Sequence, residues 1–95
     1  MNSKDDYVRK MHSQLDHLSA EIDTLTEKAE HIKADARAEY HKHLDELRTK
    51  RDEVKAKLNT LQNAGESAWN DMKAGVELAW NAISEALSSA KSRFK

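Results

Sequence analysis

Residues 8–36 read VRKMHSQLDHLSAEIDTLTEKAEHIKADA, and their apolar positions recur alternately three and four residues apart. This spacing places the apolar side chains on one face of an α-helix, as in the seam of a coiled coil. The positions on that face are Val8, Met11, Leu15, Leu18, Ile22, Leu25, Ala29, Ile32 and Ala36. The stretch therefore predicts an α-helix with one long apolar face.

The periodic pattern continues further along the chain, with one local change of step. From Ile32 to Leu44 successive apolar positions are four residues apart, which is a stutter that unwinds a coiled coil without ending the helix. The seam then resumes as far as Leu61, so we predict a single helix over residues 4–62. Arg51 occupies a seam position, either to set the register of a coiled coil or, as we favour, to extend its charged end into water.

The composition restricts the class of protein. The chain has 95 residues, no proline, two glycines, 35% charged and 5% aromatic residues, which is typical of a long helix and not of an α/β enzyme. Sixteen basic and 17 acidic residues give a net charge of −1, so nothing indicates nucleic-acid binding. The N-terminus has no apolar segment of a signal peptide, and no apolar run is long enough to span a membrane. A soluble, cytoplasmic protein is expected.

One clear break interrupts the pattern, at Asn63-Ala64-Gly65. Gly65 can adopt the left-handed conformation that ends many helices. We therefore predict a turn at 63–66 and an amphipathic helix over 67–93. The resulting fold class is all-α, with one domain over residues 1–95, in which a long coiled-coil helix is followed by a shorter helix that folds back as a helical hairpin.

The unequal lengths of these helices predict self-association. At 1.5 Å per residue they would span about 90 Å and about 40 Å, so the second helix covers only half of the first. The seam from Val8 to Ile32 would then be bare, and proteins seldom leave so large an apolar stripe in water. We expect a homo-oligomer, with a dimer favoured, most simply an antiparallel pair with two-fold symmetry.

The second helix carries an eleven-residue repeat, in which Ala68-Trp69-Asn70 is echoed by Ala79-Trp80-Asn81. Eleven residues are almost three helical turns, so both tryptophans lie on one stripe. That stripe covers an arc of about 80° and contains Trp69, Met72, Val76, Trp80, Ile83, Leu87, Ala90 and Phe94. A strip of small residues adjoins it, where we expect Gly75 to mark a crowded helix contact.

Two interpretations of this arc stay open. The arc can be core, packed on the long helix, or it can bind a membrane surface with its tryptophans at the headgroup level. Residues 66–95 carry four acids and four bases, whereas interfacial helices usually have a basic polar face, so packing is favoured. We predict that self-association or partner binding involves the large residues of both apolar faces, namely Val8, Met11, Leu15, Leu18, Ile22, Leu25, Ile32, Trp69, Met72, Val76, Trp80, Ile83, Leu87 and Phe94.

The remaining residues form no recognisable catalytic or metal-binding motif. Five histidines, at positions 12, 17, 31, 41 and 43, lack the i,i+3 or i,i+4 spacing of a helical metal site, so we interpret them as solvated. A metal site assembled between chains stays open. Protonation of all five would change the net charge from −1 to +4, so association could depend on pH between about 5 and 7. We predict no catalytic residues, no metal and no cofactor.

The chain resembles a family of short bacterial all-helical proteins described as coiled-coil or stress-response proteins. The most specific shared residues are Ala68-Trp69, Lys73-Ala74-Gly75-Val76 and Ala79-Trp80, and further similarity includes Glu39-Tyr40 and Ser92-Arg93-Phe94-Lys95. The resemblance implies a soluble bacterial helical protein, linked to stress, with no assigned activity. The leading hypothesis is a non-enzymatic self-associating protein with a scaffold, protectant or partner-binding role. The alternative is a peripheral protein that binds lipid through the C-terminal helix.

Overall fold

The computed structural model describes residues 3–93, which form a bundle of three α-helices. The bundle measures 51 × 19 × 18 Å. Its helices are α1 (Ser3–Lys28), α2 (Ala34–Gln62) and α3 (Ala68–Arg93), and a short 3₁₀ turn, Ala29–His31, follows α1. The predicted all-α fold class is confirmed for the described part of the chain.

The predicted single helix over residues 4–62 is wrong, because the chain reverses direction between α1 and α2. Ile32 and Lys33 are extended, with ψ angles of 138° and 144°. We call residues 29–33 the α1–α2 bend; its last two residues, Ile32 and Lys33, lie at the start of the stutter. The reversal lets α1 bury its apolar face against the rest of the chain, at about 25 cal/mol per Å² of apolar surface. Apolar spacing identified the buried face but could not identify its partner.

The bare seam from which we predicted a dimer does not exist in this fold. The apolar face of α1 lies in the core, and only Ile32, in the bend, is partly exposed. The buried residues that α1 contributes are Val8, Met11, Leu15, Leu18, Ile22 and Leu25. The chain therefore buries by itself the apolar surface that we had expected a second copy to cover.

Polar contacts fix α1 beside its neighbours. The buried Tyr40 hydroxyl donates a hydrogen bond to the carbonyl of Leu25, and Arg48 Nη2 donates to Thr26 Oγ1 at 2.9 Å. At the other end of the bundle, Lys4 Nζ donates to the carbonyl of Ala64 at 2.9 Å. The start of α1 therefore lies beside the α2–α3 turn, and α1 runs antiparallel to α2 and parallel to α3.

The break between α2 and α3 is confirmed, although not through the glycine conformation we expected. No residue in 3–93 has a positive φ, so Gly65 does not adopt the left-handed conformation. Its carbonyl instead accepts hydrogen bonds from the backbone N–H groups of Ala68 at 3.1 Å and Trp69 at 3.2 Å. The turn is closed by its own backbone, and α3 begins one residue later than predicted.

Helix α2 packs against both other helices, and α1 and α3 approach each other less closely. Met72 and Gly75 of α3 lie beside Ala56 and Thr60 of α2. Gly75 does not mark a crowded contact, because a Cβ atom added there would meet nothing within 4 Å. The wider spacing between α1 and α3 leaves a groove on that side of the bundle.

Candidate interaction surface between α1 and α3

The apolar arc of α3 faces the interior of the bundle, as the core interpretation predicts. Trp69, Val76, Ile83 and Leu87 are buried, whereas Met72 and Trp80 are partly exposed and pack against the core. Phe94 lies outside the described residues. The predicted association residues other than Phe94 therefore belong to the core of this chain or pack against it, and their part in self-association stays a prediction.

Two shallow depressions between α1 and α3 meet at Gln14 and Trp80, which line both of them. We call them together the α1–α3 groove. Its other lining residues are Tyr7, Lys10, Met11, His17, Leu18 and Glu21 from α1 and Glu77, Asn81, Ser84 and Leu87 from α3. The groove thus has a partly exposed tryptophan at its centre and polar side chains around it.

An aromatic cluster closes one end of the groove. The rings of Tyr7 and Trp69 lie 6.0 Å apart between centroids, at an angle of 41°. Lys73 Nζ lies 5.0 Å from the centre of the Tyr7 ring and 5.8 Å from that of Trp69, a cation–π arrangement with both. Lys73 therefore covers an aromatic surface that would otherwise meet water.

The Tyr7 hydroxyl is a buried polar group within this aromatic cluster. Its oxygen is buried and has no hydrogen-bond partner among the described residues. Burial raises the pKa of Tyr7, and the negative charge of Glu77 raises it further, since both disfavour a tyrosinate at this place. Tyr7 was not among the predicted site residues, because it lies beside the α1 seam. The signal that could have found it is the row from Tyr7 through Met11, Gln14 and Leu18 at helical spacing.

Ion pairs flank the opposite end of the groove. Lys91 Nζ lies 3.1 Å from Glu21 Oε1, which joins α3 to α1, and Arg93 Nη2 lies 2.7 Å from Glu39 Oε1, which joins α3 to α2. These side chains are about half exposed, so each pair contributes little to stability. The groove rim carries both signs of charge, which suits a mixed-charge helix better than a polyanion.

Two further residues, Leu78 and Arg51, lie outside the buried core. Leu78, on the outer face of α3, is 71% exposed, the one large apolar side chain among residues 3–93 with such exposure. Arg51 does not enter the core. Its Nη2 pairs with Asp52 at 3.3 Å, and its side chain is 28% exposed, which agrees with an arginine that extends towards water.

The histidines do not assemble into a metal centre in the described part of the chain. His43 lies 3.9 Å from carboxylate oxygens of both Glu39 and Glu46 on the surface of α2. Across residues 3–93 no group of three or more ligating side chains is placed to hold a metal ion. Within the same residues, no helix combines the length and the apolar character that crossing a bilayer requires.

Comparison of the chain with protein-family models, with curated proteins and with solved structures finds no match in any of the three.

Proposed function

We propose that this protein is non-enzymatic and acts through helix–helix association, as a self-associating scaffold or protectant or as a partner-binding module. The observation that supports this proposal is the partly exposed Trp80 at the centre of the α1–α3 groove. The cytoplasmic location and the link to stress rest on the sequence and its family resemblance alone. Large aromatic residues in shallow apolar depressions are the side chains that most often dominate the energy of protein interfaces.

The dimensions of the groove fit an added helix. Its α1 wall runs from Tyr7 to Glu21, about 20 Å of helix axis. An amphipathic helix of about four turns could lie along it, with apolar residues over Trp80 and polar residues towards the charged rim. A second copy is the simplest partner, because two copies can bury the same groove against each other around a two-fold axis.

A long charged side chain placed in the groove tests this proposal. Ser84 lines the groove, whereas Ser89 on the same helix is exposed outside it. Sedimentation equilibrium over a wide concentration range is expected to show wild-type self-association. Ser84→Arg should weaken it at least about tenfold, because an arginine without a partner is poorly accommodated in a closed interface, and the matched control Ser89→Arg should leave it unchanged.

A wild-type mass of 10.8 kDa at every concentration would show that the chain does not self-associate, and would contradict this part of the proposal. Equal effects of the two arginine substitutions would place the association surface elsewhere. Circular dichroism of each variant verifies that the helices are retained, since both substitutions lie on the helix surface.

The membrane-surface alternative requires α3 to leave the bundle. Its apolar arc is covered by α1 and α2, and Trp69 is only 8% exposed. Vesicles containing anionic lipid provide the test, with tryptophan emission and co-sedimentation as readouts. Our proposal expects neither a blue shift nor co-sedimentation, and the appearance of both would favour lipid binding instead.

A further inference from the structure

The α1–α2 bend differs from a continuous helix at very few backbone angles. Ile32 has φ −84° and ψ 138°, and Lys33 has φ −57° and ψ 144°. Both φ angles are already close to helical values, so mainly the two ψ angles separate the bent chain from a straight helix. The residues before and after this pair are already helical or in the 3₁₀ turn.

The local sequence favours the straight form. Residues 29–39, AEHIKADARAE, contain no glycine or proline and four alanines, and the rest are mostly good helix formers. Neither Lys28 nor Lys33, which precede the two helical segments at the bend, makes a side-chain capping hydrogen bond. The local bonds of the bend are Ile32 N–H to the Ala29 carbonyl at 3.3 Å, Ala36 N–H to the Lys33 carbonyl at 3.0 Å and Arg37 Nη2 to the Ile32 carbonyl at 3.1 Å.

The α2–α3 turn differs from the bend in its local sequence, because it includes a glycine, which disfavours a continuous helix. It contains Gly65, whose carbonyl accepts two backbone hydrogen bonds, and Asn63 and Ala64 donate backbone bonds to carbonyls of the last turn of α2. The α2–α3 hairpin is therefore specified locally. The α1–α2 bend is held mainly by the packing of α1 against the other two helices.

That packing does not require α1 to come from the same chain. The buried face of α1, the Tyr40 bond to Leu25 and the Arg48 bond to Thr26 would all form equally well with α1 of a second copy. We propose that the protein self-associates by exchange of α1: in each chain α1 and α2 join into one helix, and α1 packs on α2 and α3 of its partner. This proposal rests on self-association as the proposed function, but it assigns the contact to the buried face of α1 and not to the α1–α3 groove. Since exchange leaves that groove open in each bundle unit, Ser84→Arg should leave the exchanged dimer intact.

The exchanged dimer has a defined shape. Each long helix would cover residues 3–62, about 90 Å, and two bundle units would lie end to end around a two-fold axis at the bend. The particle would be about 100 Å long, twice the 51 Å of the single bundle and of similar width. Dimerisation through the α1–α3 groove would instead give a short, thick particle, which small-angle X-ray scattering distinguishes.

A cross-link between α1 and α2 identifies the chain that supplies α1. The described chain has no native cysteine, so Thr26→Cys and Arg48→Cys introduce a defined thiol pair on a face remote from the α1–α3 groove. In a straight helix these positions are about 33 Å apart, beyond the reach of a short bis-maleimide. After gel filtration of protein refolded at high concentration, the dimer fraction should therefore yield covalent dimers on a denaturing gel.

Ala34→Pro gives the complementary test on the full chain. Ala34 is the first residue of α2, where proline is well tolerated, and Lys33 already has the extended ψ that a following proline requires. Proline within a continuous helix would disrupt it. Ala34→Pro should keep the monomer folded and lower the dimer fraction at least about tenfold, whereas Gly75→Ala, a control that raises helix stability away from the bend, should not.

The outcomes separate the two proposals. A dimer whose cross-links stay within one chain, and which survives Ala34→Pro, overturns the exchange of α1 and leaves self-association intact. A chain that is monomeric at all concentrations, before and after refolding, overturns both. Interchain cross-links together with loss of the dimer in Ala34→Pro support the exchange.

Discussion

The two tyrosines provide a test in which the same atom is removed and opposite effects are expected. Tyr40 is 2% exposed, and its hydroxyl donates to the carbonyl of Leu25 across the α1–α2 contact. The Tyr7 hydroxyl is buried with no partner among the described residues. Tyrosine to phenylalanine keeps each ring in place, so the difference between the variants isolates the hydroxyl and its hydrogen bond.

The magnitudes follow from these environments. A satisfied hydrogen bond contributes about 0.5–1.5 kcal/mol, so Tyr40→Phe should lower the free energy of unfolding by about 1 kcal/mol, or about 4–8 °C in Tm. A buried hydroxyl without a partner costs about 1–3 kcal/mol. Because the Tyr7 side chain is only partly buried, we take the lower bound and expect Tyr7→Phe to raise stability by about 1 kcal/mol.

Urea unfolding followed by far-ultraviolet circular dichroism and by tryptophan emission measures both changes. The two sites lie at opposite ends of the bundle, so the double variant should be close to the wild type, with the two effects adding to within about 0.5 kcal/mol. A loss of stability in Tyr7→Phe equal to that in Tyr40→Phe would refute the reasoning. The comparison requires that the slope of the unfolding free energy against urea concentration is the same in all variants.

Other predictions concern the core, a glycine and alkaline pH. Ile83→Ala, at a fully buried position, should cost about 2–5 kcal/mol, whereas Leu78→Ala, at a position 71% exposed, should stay within about 0.5 kcal/mol in thermal or urea unfolding. Gly75→Ala should add about 0.5–1 kcal/mol, since glycine weakens a helix interior and the new Cβ meets nothing within 4 Å; an unchanged urea midpoint would contradict this. Burial, and then the charge of Glu77, raise the folded-state pKa of Tyr7 above its ordinary value of 10.0. The part of the unfolding free energy that depends on a neutral Tyr7 is therefore complete below pH 10.0 and is lost as the pH rises through the folded-state pKa. Glu77→Gln removes the smaller cause of that shift, so the unfolding free energy should fall less at alkaline pH than in the wild type. Urea unfolding at pH values on either side of 10.0 measures this fall.

The sequence identified which side of α1 is buried but not what covers it. The alternating spacing from Val8 to Leu25 is the same for an interchain coiled coil and for a helix inside a bundle, because both bury one stripe. Glycine and proline are the usual signals of a reversal, and residues 29–33 contain neither. The stutter was the available sign, and helix propensity outweighed it in our prediction. Tertiary packing, which a single sequence does not display, decides that the chain bends there.

The candidate groove was predictable only in part. The arc of α3 was placed correctly in the core, and its most exposed tryptophan, Trp80, is the residue at the edge of that arc nearest α1. The α1 wall of the groove was not predictable, because Gln14 and its neighbours become a surface only when α1 folds beside α3. Polar residues that are far apart in the sequence have no local pattern that would predict their contact in the folded chain.

Because the bundle has three helices, the ends of its described chain lie at opposite poles. Lys4 bonds to Ala64 near one pole, and Arg93 pairs with Glu39 near the other. A pull applied between these ends would slide the helices along one another and load the whole length of their packed faces together. In a two-helix hairpin both ends lie at the same pole, and the same pull would separate the helices one turn at a time. In the described chain such a pull would therefore act in shear along the helix axes and would not peel one helix from another.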